Sequence, residues 1–384
     1  MRIDVTGGIK LDKKIKVLQF PVANSKGGIT QYALQNWKFI DKSKFQFDFA
    51  TMSKSLSFAE DLEREGCKIF YISCYAEENK EQFIKEFKKI LLEGNYDVVH
   101  LHTKQWKSFC VEELAKEVNI KRIIVHAHNT GIDAIDVALR EKEIGLHNRM
   151  LNLLTEDIAT DFWACSKRAA DFVFADKIDQ KKIKIMCNAI DLERFKYKES
   201  VRMKLRDELN INNKFVIGHV GRFVYQKNHD FIIDVFSHVC KQNENAVLLL
   251  VGEGELEENI RQKVNKLQLS DKVIFMGWRK DVQDILQAMD VFVLPSKFEG
   301  LPIVAVEAQA VGLKCLCSDT ITDEVKITKR LELLPLNSEQ WVKRILQCDR
   351  EDEYFDRRES LNLKQYDILN QIKLVEFEYS GSNL

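Results

Sequence analysis

From Lys14 onward, short runs of apolar and β-branched residues alternate with longer stretches whose apolar positions recur every three or four residues. Runs of the first kind read as buried strands and stretches of the second as amphipathic helices. In the first half the strand runs are residues 15–20, 45–50, 68–72, 96–101, 122–127, 161–165 and 183–187. Helices fall between them, as in 80–92, where Phe83, Ile84, Phe87, Ile90 and Leu91 share one face. A charged, Asn-bearing stretch at 207–214 precedes a new strand at 215–220. The alternation then restarts with strands at 247–251, 272–275, 291–294, 314–317 and 331–334. Strands joined by crossover helices make parallel sheets, so the pattern predicts an α/β fold of two Rossmann-like domains in series. Their expected bounds are 14–200 and 201–360, with a helical segment at 361–384 packing back on the first domain.

Length agrees, because 384 residues exceed what one hydrophobic core usually serves. Lysine and arginine number 58 against 59 acidic residues, a balance without bulk pull toward nucleic acid. The apolar runs 246–251 and 291–294 are too short to cross a bilayer, and the first residues lack the architecture of a secretory signal, so a cytoplasmic protein is expected. Nine cysteines without CxxC pairs or histidine partners at metal spacing argue against a disulfide framework. Cys315 and Cys317 read as packing residues.

Ligands of open parallel sheets bind outside the carboxyl ends of the strands, so the loops there carry the candidate chemistry. After strand 215–220 the chain reads Gly221-Arg222-Phe223, then Gln226-Lys227-Asn228. The glycine admits a ligand to the backbone, while Arg222 and Lys227 can neutralise a diphosphate; a solvated basic turn is the plainer alternative. After strand 291–294 the chain runs Pro295-Ser-Lys-Phe-Glu299-Gly300-Leu301-Pro302 into a helix ended by Gly312. Pro302 suits the first helical position, and the helix amides suit phosphate oxygens. Glu299 sits at its mouth where a sugar would project, and Glu307 can reach paired hydroxyls such as those of a ribose. In the first half, Lys26-Gly27-Gly28 opens a helix, with a flexible loop as the alternative. Four histidines lie near strand ends: His100, His102, His126 and His128. Imidazoles two apart on a strand can share a metal, but no third ligand is placed by the sequence.

These segments resemble family 4 of the retaining GT-B glycosyltransferases over almost the whole chain from Lys14, most specifically in the stretch from Glu299 to Glu307 together with Gly221, Arg222 and Lys227. The resemblance implies two Rossmann-like domains facing across a cleft and transfer of a hexose from a nucleoside-diphosphate sugar, UDP-sugar favoured, to an acceptor hydroxyl. It assigns catalysis to His128, Arg222, Lys227 and Glu299. It assigns donor contacts to Gly27, Gly28, Gly221, Gly277, Arg279, Gly300, Leu301 and Glu307. Met276-Gly277-Trp278-Arg279 resembles a segment whose backbone reads the base, and Val251-Gly-Glu-Gly254 a strand-ending loop beside the nucleotide. Asn188-Ala189-Ile-Asp191 resembles a segment usually written with glycine in second place.

The resemblance also implies a carbohydrate or lipid-linked oligosaccharide acceptor in bacterial surface or exopolysaccharide synthesis, no nucleic-acid partner, no metal and no cofactor. A sugar-nucleotide epimerase, a phosphorylase, or an inactive nucleotide-binding subunit are the alternatives on the same architecture. Peripheral contact with the inner membrane surface is the last expectation, carried by Lys104-Gln-Trp106-Lys107, the lysines at 85, 88 and 89, and the basic stretch from Arg140 to Arg149. Solvated helix faces are the plainer reading of the same residues.

Overall fold

The structure is a computed structural model that describes residues 13–24, 27–348 and 363–381; Lys26 and most of the first thirteen residues lie outside them. Two compact units emerge. The first comprises the described residues up to His128, Gly145–Cys187 and those from Ile368 on; the second comprises Asn129–Ile144 and Asn188–Asp367.

The first unit holds seven parallel strands: β1 (Ile15–Phe20), β2 (Phe45–Thr51), β3 (Ile69–Tyr71), β4 (Val98–Thr103), β5 (Arg122–Ala127), β6 (Asp161–Ala164) and β7 (Ile183–Ile185). Their order is β3-β2-β1-β4-β5-β6-β7. The second holds β8 (Phe215–Val220), β9 (Ala246–Val251), β10 (Val273–Phe275), β11 (Val291–Leu294), β12 (Lys314–Ser318) and β13 (Leu331–Leu334), in the order β10-β9-β8-β11-β12-β13. Each predicted strand is present. The central ones are buried on both faces, as parallel strands covered by helices must be. All six residues of β9 are buried, and Ala246, Leu248 and Leu250 pack with Phe215, Ile217, Phe236 and Trp341 in the second core. In both sheets the order reverses beside the first strand of the unit, between β1 and β4 and between β8 and β11, which opens a crevice at the strand ends.

Helix ends follow from local chemistry. Asn79 caps Lys80–Gly94 by accepting from the Gln82 amide at 3.1 Å, and left-handed Asn95 ends it. Ser166 caps Lys167–Phe174 in the same way, accepting from Ala169 at 3.1 Å. In the second unit Asp290, at the start of β11, binds Arg202 and Arg206 of the helix Glu199–Glu208 and accepts from the Val216 amide at 2.7 Å. This buried network pins that helix to the turn before β11, and removing one partner would strand a buried charge.

The division differs from the expected one. It falls between Cys187 and Asn188, not at 200, because residues before the helix Glu199–Glu208 are already bonded into the second unit: Asn188 Nδ2 donates to the Leu301 carbonyl at 2.8 Å, and Lys198 N to Gln287 at 2.6 Å. Residues 129–144 also leave the first unit, since Thr130 and Asp133 bond to loops of the second. At the C-terminal end Tyr366 donates to the Glu324 carbonyl at 3.0 Å within the second unit. The helix Ile368–Ser380 belongs to the first unit, with Ile372, Val375 and Tyr379 in its core. Residues 361, 362 and 382–384 of the expected C-terminal segment lie outside the described ones.

Candidate active site

The loops after β8 and β11 flank the switch point of the second sheet. Beyond β8 the chain passes through Gly221 and Arg222 into a short 3-10 turn, Tyr225–Lys227. Left-handed Asn228, φ 58°, then starts the helix His229–Cys240. Asn228 Nδ2 donates to the Pro295 carbonyl at 3.1 Å and the Lys297 amide to the Gln226 carbonyl at 2.8 Å, so the two loops are stitched together. Gly252 is required where it stands. Its φ is +134°, and a Cβ would lie 2.1 Å from the Gly221 carbonyl.

Glu299 is the centre of this arrangement. Its buried carboxylate accepts from Lys227 Nζ at 2.5 Å, Ser296 Oγ at 2.8 Å and Gln226 Nε2 at 3.1 Å. Its backbone carbonyl accepts from Thr130 Oγ1 at 3.0 Å. Beside it Asp133 accepts from the Gln226 amide at 3.0 Å and lies 3.4 Å from Arg222 Nη2. The structure therefore brings Arg222, Lys227 and Glu299 to one place, but as partners: each cation already holds a carboxylate. Any anionic group bound here would compete with Asp133 and Glu299 for the two cations.

The helix Ile303–Ala310 begins one residue later than expected, with Pro302 as its cap and Gly312, φ +81°, beyond its end. Leu301 is buried and Gly300 precedes it in the loop. Glu307 lies on this helix, half-buried; burial pushes its carboxyl up to about 7, against the pull of Arg194. Gly277 has φ +63°, while Arg279 is engaged with Asp281 through two hydrogen bonds at 2.8 and 2.6 Å. The exposed Trp278 donates its amide to Glu253 at 3.3 Å.

The remaining expected residues lie in the first unit. Gly27 caps the helix Gly28–Phe39 with φ −64°, and a Cβ on either glycine would meet open space, so neither backbone conformation nor crowding demands glycine there. His100 and His102 sit inside β4 and not after it, and His126 lies beside His102 on β5. His128, half-buried, follows β5. The four imidazoles pack around Tyr32, and ligand atoms of His100, His102 and His126 lie within 4.8 Å of one another, close enough to hold a metal ion. Hydrogen bonds join them in pairs, His100 Nε2 to His126 Nδ1 at 3.1 Å and His102 Nδ1 to His128 Nε2 at 3.0 Å, while His126 Nε2 has no full partner among the described residues. Burial holds all four below the usual histidine range, His102 at about 3, and neighbouring rings add to the effect at His100, His126 and His128, which favours the neutral forms.

Trp106 is buried, its Nε1 donating to the Val173 carbonyl at 2.6 Å, which removes it as an anchor for a lipid surface. Lys88 pairs with Glu117 at 2.5 Å, and the Arg140 guanidinium lies 4.0 Å from the Tyr225 ring centroid. No helix among the described residues is long and apolar enough to cross a membrane.

Comparison with known proteins gives the same picture. Residues 201–348 match the family described as glycosyl transferases group 1. EpsF of Bacillus subtilis (strain 168), which carries a glycosyltransferase name, is 30% identical over 314 residues, covering 81% of this chain and 80% of that protein. The Escherichia coli UDP-Gal:alpha-D-GlcNAc-diphosphoundecaprenol alpha-1,3-galactosyltransferase is 26% identical over 321 residues, 80% of each chain. In fold, the chain is similar to the crystal structure of Anabaena Alr3699/HepE in complex with UDP and glucose, with a TM-score of 0.77, 17% identity, and coverage of 96% of this chain and 100% of that one. With two parallel-sheet units of the GT-B type and this similarity over most of its length, the chain belongs to the glycosyl transferases group 1 family.

Proposed function

We propose that this glycosyltransferase moves a hexose from a UDP-sugar to an acceptor hydroxyl with retention, as a family 4 enzyme. The observation that carries the reading is the convergence of Arg222, Lys227 and Glu299 at the switch point of the second sheet. Negative charge grows on the departing diphosphate during transfer, and pre-placed cations lower that barrier. Lys227 and Arg222 take this role, with Gly221, Gly300 and Leu301 offering close backbone approach. Once its lysine turns to phosphate, Glu299 accepts from the sugar hydroxyls. Glu307 accepts from the ribose, while the backbone at Gly277 and Arg279 meets the base. The donor choice is supported by the UDP in the HepE complex, and a lipid-linked acceptor by the diphosphoundecaprenol in the name of the E. coli relative. That acceptor, which would draw the enzyme to the inner membrane surface, fits a role in surface or exopolysaccharide synthesis.

His128 is assigned to the transfer step, with no metal or cofactor taking part. His128→Ala is then expected to lower turnover by about 10²-fold, the scale of one general acid or base, with nucleotide affinity little changed. A screen of UDP-sugars for UDP release, with and without chelator, checks both points. Activity that appears only when a divalent ion is added would favour a metal at the histidine cluster instead.

A further inference from the structure

The polar chain behind His128 has one direction. A neutral imidazole carries one N–H and one lone pair, so fixing the donor at either nitrogen fixes the other as acceptor. Gln19, buried at the end of β1, presents Oε1 to His102 Nε2 at 2.8 Å and Nε2 to the Tyr379 hydroxyl at 3.0 Å. His102 therefore donates from Nε2, and its Nδ1 is the acceptor at 3.0 Å from His128 Nε2. His128 must carry its proton on Nε2.

The other arm runs the same way. Having accepted from Gln19, the Tyr379 hydroxyl donates to His100 Nδ1 at 2.6 Å. His100 then donates from Nε2 to His126 Nδ1 at 3.1 Å. The terminal N–H falls on His126 Nε2, which has no full hydrogen-bond partner among the described residues, and the Met186 backbone favours the protonated form of the ring. Turning the Gln19 amide over would reverse every bond and aim a lone pair there. Burial keeps each ring neutral, so no ring can donate at both ends and break the direction.

We propose that the Gln19 amide holds His128 as its Nε2–H tautomer, leaving the Nδ1 lone pair as the acceptor, and that Gln19 is thereby a positioning residue for transfer. This rests on the assignment of His128 to the reaction and adds what holds it ready. Tyr379 brings the C-terminal helix Ile368–Ser380 into the same chain, so the last described helix helps set a ring that follows β5.

Two-bond proton–nitrogen correlation spectra of the ¹⁵N-labelled full chain, with rings assigned by single substitutions, read each tautomer without substrate. All four rings are expected neutral and protonated at Nε2 at pH 7; an Nδ1–H or imidazolium His128 would overturn the proposal. Gln19→Leu, judged folded by its other resonances, should scramble the His128 tautomer and lower kcat for UDP-sugar turnover by about tenfold or more while leaving the donor KM unchanged. Gln19→Glu keeps an oxygen facing His102 and should restore both. A scrambled tautomer with wild-type kcat, or an unchanged tautomer in Gln19→Leu, contradicts the proposal. Because the spectra need no donor, they stand apart from the donor-site reading, which fails or holds on nucleotide binding alone.

Discussion

Lys227→Ala is expected to lower sugar transfer by about 10²-fold or more, because it removes a cation from the site proposed for the departing diphosphate. The structure adds a second expectation. Lys227 is the 2.5 Å partner of a buried carboxylate, so its loss leaves Glu299 with only the Ser296 and Gln226 donors and should lower the melting temperature. Pairing the change with Glu299→Gln removes the stranded charge and should recover the stability, but not the activity. Kinetics and thermal melts of the single and double variants separate the two effects. Full turnover in either folded variant would remove Lys227 from the mechanism.

Glu307→Gln and Glu299→Gln should divide the donor between them. Losing a charged hydrogen bond to a hydroxyl costs about 1.5–3 kcal/mol, so Glu307→Gln should weaken UDP by about 10- to 100-fold while Glu299→Gln leaves it nearly unchanged and lowers turnover. The elevated Glu307 carboxyl gives a further sign. Its folded value of about 7 lies above the 4.5 of a free glutamate, so between those values the folded chain binds the extra proton and this group's share of stability falls as pH rises. If the ionised form accepts the ribose hydroxyls, UDP affinity should rise as pH passes upward through about 7 in the wild type and stay flat in Glu307→Gln. Calorimetric titrations between pH 6 and 8 check this; the reverse order of the two variants would exchange their roles.

The strands were legible because parallel β-structure buries both faces and writes continuous apolar runs. Their ends were less so. Tyr96 reads as a strand residue, yet it precedes β4 and turns its hydroxyl to Asp48 at 2.9 Å; at the other end the strand runs on through His102 to Thr103. The pairing of the loops after β8 and β11 was legible from Gly221, Arg222, Lys227 and Glu299, which sit at fixed offsets from two strand ends. Asp133, Ser296 and Gln226 were missed, because single polar residues in loops carry no period, and only the adjacency of Gln226 to Lys227 hinted at a role. Asp133 was also hidden by its segment: no break in composition announces that residues 129–144 leave one unit for the other. The histidines were seen as a group, but the partners that give them a direction, Gln19 and Tyr379, stand 360 positions apart.

The central claim is that the second unit holds a nucleoside diphosphate through Arg222 and Lys227. Titration calorimetry of the full chain with UDP, UMP and uridine, repeated on Lys227→Ala, tests it most directly. The account predicts that UDP binds far more tightly than UMP or uridine, and that Lys227→Ala removes most of that difference while leaving uridine binding in place. Equal binding of UDP and uridine by the wild type, or an undiminished preference for UDP in Lys227→Ala, would contradict it.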